Sequence, residues 1–320
     1  MSSVTIRLPR QGAGLALLQK YGVYLAIVLI LVANLIVTPN FFTIDNLRTQ
    51  LVQVVPVLIV ALGMALVIGT EGIDLSVGAA MAMAAAVLPL YIGYGFVPAL
   101  IIALVAALVI GLTNGVLVAF VGVQPIVATL SLMVAGRGLA LLVAGEQLRP
   151  VIDPTVLALG RGTVFGVPWA VLIAAALVAI IAVLVNRTTF GKQLVAVGGN
   201  RRAAELAGLP VKRILLVIYL VCAVLAAVAG IIGTARLAAS VPSTIGNLIE
   251  LSAITAVVVG GTPLSGGQVK IAGTVAGALL LQIITATLVK HNVPDAYSQI
   301  IQAAIIIVAV YIQRGKVFTK

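Results

Sequence analysis

Ten apolar stretches, most of them close to twenty residues long, follow one another along this chain with only short polar breaks between them. They run near 21–38, 51–69, 75–93, 97–120, 123–143, 168–186, 211–232, 249–262, 267–289 and 296–313. A helix needs roughly 20 apolar residues to cross the hydrocarbon of a bilayer. Lipid offers no partner for an open backbone, so each crossing must satisfy its own N–H and C=O groups as a helix. The pattern therefore predicts an all-α polytopic bundle of about ten spans, the eighth shortened by Gly260 and Gly261. Composition agrees, with 62% hydrophobic and 8% charged residues. A soluble domain carries about 25% charged residues, and this chain could not cover a water-facing surface. No polar linker divides residues 1–320 into two domains.

The net charge of +11 does not point to nucleic acid, because the basic residues sit in the breaks between apolar runs. Their sidedness carries information instead. Thirteen of the nineteen Lys and Arg fall on one side of the expected bundle, among them Arg7, Arg10, Lys20, Arg187, Lys192, Arg201, Arg202, Lys212, Arg213 and Lys270. Five fall on the other, and Arg137 lies within a span, from which snorkelling to the interface is expected. This bias predicts cytoplasmic N- and C-termini. The first apolar run has no small-residue cleavage site after it and reads as a retained span rather than a signal peptide. Cys222 is the only cysteine and His291 the only histidine, so neither an intrachain disulfide nor a His/Cys metal set can be assembled. No cofactor is expected.

Two polar segments stand out. Residues 144–167 form the longer loop on the side opposite the termini and hold Pro150, Asp153 and Pro154. Residues 186–213 are the longest basic segment. There Gly198–Gly199 is expected to break the chain, Asn200 to cap a short helix over Arg201–Ala207, and Gly208 with Pro210 to stop it. About two turns of helix are not stable alone in water, so this one must pack on something. A local echo links Leu66–Ala79 (LVIGTEGIDLSVGA) and Val258–Gly273 (VVGGTPLSGGQVKIAG), both glycine-rich hairpins. In the first of these, Asp74 and Ser76 can cap the third span, and Gly72 and Gly78 permit close backbone approach. Leu264–Gln268 reads LSGGQ, the letters of an ATPase signature, yet no G-x-x-x-x-G-K-[ST] phosphate loop exists in the chain and the pentapeptide lies between two spans.

Four segments together resemble the permease family of ribose, xylose and galactose ATP-binding-cassette importers: AVGGNRRAAELAGLPVKR, GIDLSVG, IELSAITAVVVGGTPLSGG and PNFFTIDNL. The resemblance spans about residues 25 to 313. It implies that Asn200, Ala203, Ala204, Glu205 and Gly208 form the helix that couples to an ATPase subunit, and that Gly72, Asp74, Ser76 and Gly78 form a helix-entry or gate motif. It further implies alternating access in a bacterial inner membrane, with partners comprising cytoplasmic ATPase subunits, a periplasmic sugar-binding protein and a second permease copy or paralogue. Two positions depart from the family pattern: Glu71 stands where a small residue is usual, and Ser252 where an aspartate is. Asn114, Ser131, Ser252 and Thr255 are candidates for the solute path, alongside Asn34, Gln53, Gln282 and Thr285 as further polar residues at membrane depth; all can equally serve as interhelical hydrogen bonds. The alternative class is an ion-coupled secondary transporter, which needs an ionisable group near the bilayer midplane. Glu71, Asp74 and Glu250 all read as lying near span ends. No nucleophile–base pair or metal set suggests an enzyme.

Overall fold

The computed structural model describes residues 13–314 and is almost wholly helical. Arg7, Arg10, Lys316 and Lys320 lie outside the described residues. Each apolar run coincides with a helix: α1 (Ala13–Val37), α2 (Ile44–Gly69), α3 (Val77–Tyr91), α4 (Phe96–Val116), α5 (Pro125–Ala144), α7 (Trp169–Arg187), α10 (Val211–Leu237), α11 (Ile249–Val259), α12 (Ile271–Lys290) and α13 (Asp295–Arg314). Among the described residues seven helices are long and apolar enough to cross a membrane, while Tyr21–Val37 and α11 are shorter apolar helices.

The polar segments hold more structure than their sequence suggests. In 144–167, Asp153 accepts hydrogen bonds from the N–H groups of Thr155 and Val156, Pro154 takes the first helical position, and a helix α6 (Pro154–Arg161) follows. Short strands frame it: β1 (Arg149–Pro150), β2 (Thr163–Val164) and β3 (Val167–Pro168). The first pairs with β4 (Ala239–Ser240) after α10. In 186–213, a helix α8 (Thr189–Gly199) precedes the expected short helix α9 (Arg201–Leu206). Gly198 is thus helical, and the break falls one residue past the glycine pair, at Asn200.

α10 packs against α2, α3 and α4 and forms the centre of the bundle. Small residues make these approaches close. A Cβ at Gly230 would strike the Met81 carbonyl on α3, and one at Gly63 would stand 2.9 Å from the Cys222 sulfur. α1 is fastened to α12 by polar pairs: Asn34 Nδ2 donates to Thr287 Oγ1 at 2.8 Å, and Thr38 Oγ1 lies 3.0 Å from His291 Nε2. His291 and Asn34 therefore serve helix packing. The apolar crevice beside them, of about 300 Å³, has its polar groups bonded to one another. Lys290 Nζ donates to the Asn40 carbonyl, so α1 ends where α12 ends. The described ends, Ala13 and Arg314, consequently lie at the same end of the bundle as α9.

Candidate functional site

The α2–α3 connection does not stay at the bundle end. From Gly63, level with Cys222, α2 runs on to Gly69; the chain then turns back through Thr70–Ile73, where a Cβ at Gly72 would stand 3.2 Å from the Tyr219 hydroxyl, and brings Asp74 back to the neighbourhood of Cys222. Cys222 stands about 16 Å along α10 from Val211, near the middle of that helix. Asp74 does stand at a span end, three residues before α3, but that end lies in mid-bundle rather than at the bundle's surface, and Asp74 is 1% exposed. Its Oδ1 accepts from the Ser76 N–H at 2.9 Å and the Ser76 hydroxyl at 2.7 Å, and Ser76 Oγ accepts from Asn114 Nδ2 at 2.6 Å. Asp74 therefore caps the entry to α3, and Ser76 spends its hydroxyl on Asp74 instead of capping the helix itself. Thr129 of α5 donates to the Ile73 carbonyl at 3.1 Å. Among the described residues, Asn114 Oδ1 and the Tyr219 hydroxyl are buried beside this cluster without partners.

One turn on, Gly78 meets a second inward-reaching segment, residues 239–248, which leads into the half-length α11. A Cβ at Gly78 would collide with the Gly246 carbonyl, and would stand 2.8 Å from Glu250 Oε2 and 3.1 Å from Arg137 Nη2. Ser240 Oγ donates to the Ala85 carbonyl at 2.6 Å, seating this segment deep against α3. Arg137 does not snorkel. Its guanidinium donates to the carbonyls of Gly246 at 2.8 Å and Pro242 at 3.4 Å. No sequence signal at Arg137 marks those partners, which lie more than a hundred positions away.

At the opposite extreme of depth, three glycine-containing turns converge. Gly267 N–H donates to the Gly69 carbonyl at 3.0 Å, closing the two echoing hairpins on each other. A Cβ at Gly198 would collide with the Gly69 oxygen, so the end of α8 sits directly on this junction. α9 projects from it. Asn200 Oδ1 accepts from Ala203 N–H at 2.9 Å, Leu209 N–H returns to the Ala204 carbonyl, and Gly208 takes φ +79°, the left-handed stop that glycine supplies. Ala204 is buried beneath, whereas Ala203 and Glu205 face outward. Glu205 lies 3.6 Å from Arg201 and 3.7 Å from Arg202, so its charge is already shared within the helix. Leu206 is 76% exposed at the tip, an apolar anchor that sequence reasoning missed. The LSGGQ letters lie in the junction itself: Gly266 and Gly267 have φ +70° and +75° and pack on Glu71 and Gly198.

The four path candidates do not converge. Asn114 is sealed in the Asp74 cluster, and Thr255 is fully buried with its hydroxyl on the Leu251 carbonyl. Ser131 is exposed on α5 and bonds the Val127 carbonyl. Ser252 alone opens on a polar flank, where it bonds Gln302 of α13 at 3.2 Å. Among the described residues no group of His, Cys, Asp and Glu is arranged to hold a metal ion.

Residues 46–310 match the family described as branched-chain amino acid transport system / permease component. The ribose import permease protein RbsC of Escherichia coli strain K12 is 37% identical over 304 residues, covering 93% of this chain and 94% of its own. The galactofuranose transporter permease protein YtfT of the same strain is 36% identical, over 90% of this chain and 87% of its own. The fructose import permease protein FruF of Bifidobacterium longum is 36% identical, over 85% and 78%. No solved structure matches the chain. Each of these relatives is described as a permease, a transport protein rather than an enzyme.

Proposed function

Given that the chain belongs to the family described as branched-chain amino acid transport system / permease component, we propose that it is the membrane-spanning subunit of a bacterial ATP-binding-cassette importer for a monosaccharide or similar small hydroxylated solute. The chain is a multi-pass permease and performs no chemistry of its own. In this reading a second permease copy or paralogue completes the path, a periplasmic binding protein delivers the solute, and cytoplasmic ATPase subunits drive alternating access. In this reading the chain crosses the membrane ten times, with both termini and α9 in the cytoplasm. The sugar class follows from the relatives' names, which specify ribose, galactofuranose and fructose.

The observation that carries the ATPase partnership is α9. A six-residue helix is too short to persist unaided, yet this one is capped at both ends, braced on the glycine junction and tipped by an exposed leucine. Small Ala203 and exposed Leu206 suit insertion into a cleft, and the junction links that cleft to α2, α8 and the α11–α12 turn. Gly72, Asp74, Ser76 and Gly78 form the helix-entry or gate motif above it. Copurification tests the reading: the chain should retain an ATPase subunit through detergent extraction, and a Leu206→Glu chain that is equally abundant should lose it. Retention of the ATPase by that variant would remove the support from α9.

Alongside Glu250, buried one turn on with its Oε2 unpartnered among the described residues, the mid-bundle Asp74 favours an ion-coupled transporter, since that class needs a carboxyl at such depth. Its carboxyl is enclosed, however, and serves as the α3 cap. In the importer reading uptake is indifferent to proton and sodium gradients.

A further inference from the structure

Most of the outward surface of the bundle is apolar, as at Val105 of α4 and Ile180 of α7. One flank is not. Gln53 of α2 is exposed there, with Gln50, Ser252, Gln282, Thr285 and Gln302 half-buried around it. Gln282 Nε2 donates to Gln50 Oε1 at 2.6 Å and to Gln53 Oε1 at 3.0 Å, while Ser252 bonds Gln302 on the adjoining helices. Gln53 lies nine residues into α2, Gln282 eight from the end of α12, and Gln302 seven into α13. All three helix ends are at the same end of the bundle, so the three carboxamides share a level about 10–13 Å below it. In a hydrocarbon core about 30 Å thick that level is well inside.

Among the described residues, Gln282 Oε1 and the NH₂ groups of Gln53 and Gln302 keep unused hydrogen-bonding capacity. Lipid cannot meet it, so the flank faces either water or another polar surface. A carboxamide presents donors and an acceptor in one plane, and each sugar hydroxyl likewise donates and accepts. No charged residue belongs to the cluster, so an ionised solute, an amino acid included, would find no counter-charge. The pocket between Val54, Ser252, Gln282 and Gln302 measures about 40 Å³, room for roughly three water molecules. It can receive a hydroxyl or two but not a sugar ring, which makes it one wall of a site.

We infer that this carboxamide flank is the solute-contacting wall of the translocation path, selective for neutral polyhydroxylated solutes, with the facing wall supplied by the second permease copy. The inference rests on the sugar-importer reading above, and its test separates the two. Single cysteines replace Gln53, Gln282 and Gln302 in a Cys222→Ala chain, reconstituted and exposed to a membrane-impermeant maleimide beside Val105→Cys and Ile180→Cys controls. Thiolates form in water and not in lipid, so the three flank cysteines should react at least about tenfold faster than the controls. Ribose, L-arabinose, fructose or galactose at tens of millimolar, supplied singly, should slow the flank reaction with at least one of them, and alanine should not. Flank rates equal to the controls, or rates that no sugar alters, would overturn the inference. In the assembled transporter, Gln282→Leu should lower kcat/KM for sugar uptake about tenfold, the worth of one hydrogen bond, with ATPase association unchanged; unchanged uptake would likewise overturn it. A wild-type transporter that takes up no sugar, with flank labelling and protection intact, would instead fault the functional reading.

Discussion

Replacing Asp74 by alanine and by asparagine distinguishes a structural carboxyl from a titrating one. Asp74→Ala removes the single oxygen that accepts both the Ser76 N–H and the Ser76 hydroxyl. The hydroxyl can turn instead to Asn114 Oδ1, which is buried nearby without a partner. The N–H has no such recourse, and an orphaned buried donor costs about 1–3 kcal/mol. The vacated carboxyl volume adds roughly 1 kcal/mol, for a total of about 2–4 kcal/mol. Asp74→Asn keeps Oδ1 and both Ser76 hydrogen bonds in place and changes only the other carboxyl oxygen, a loss of less than about 1 kcal/mol. Thermal unfolding of detergent-purified chain, followed by the fraction remaining monodisperse, should therefore show a drop of several degrees for alanine and almost none for asparagine. ATP-driven uptake should follow the same order. An asparagine variant of wild-type stability that cannot transport would refute the capping account and give Asp74 a protonic role.

Three further outcomes follow from the same geometry. Glu71 has φ +62°, a conformation costing an ordinary residue about 1–2 kcal/mol, so Glu71→Gly should raise the unfolding midpoint by a few degrees; a lowered midpoint would count against the turn geometry. At Gly208, φ is +79° and an added Cβ meets open space, so Gly208→Glu should insert and express normally but lose ATPase association and ATP-driven uptake; wild-type levels of both would discount α9 as the coupling element. Reporter fusions after Asp153 and after Asn200 should report opposite sides of the membrane, outside and inside, and agreement between them would sink the topology.

The helices were legible because lipid imposes one rule on every crossing, and apolar length reads it directly. What sequence could not supply was depth. Asp74 reads as the edge of a span since it falls between two apolar runs; its level is set by Gly63 and Cys222, the latter almost 150 positions away. Arg137 was assigned to the interface by the same reasoning, when the nearest acceptors are the Gly246 and Pro242 carbonyls of an inward-reaching segment. Gly198 was read as a break, and Pro154 only as part of a polar loop. In the structure the first ends a helix where backbone contact with Gly69 leaves no room for a side chain, and the second opens one behind its cap. The α9 caps, by contrast, are local chemistry, and Asn200 and Gly208 were found where their spacing put them. The polar flank was only half visible: Gln53, Gln282, Thr285 and Ser252 stood out as membrane-depth polar residues, but nothing in their spacing brings four helices to one level.

The importer reading meets its most direct test in proteoliposomes holding the chain with its ATPase and binding protein, where uptake of labelled sugar is followed with and without ATP, and with and without imposed proton or sodium gradients. The account predicts uptake that needs ATP and both partners and ignores either gradient. Uptake by the chain alone, driven by a gradient in the absence of ATP, would contradict it.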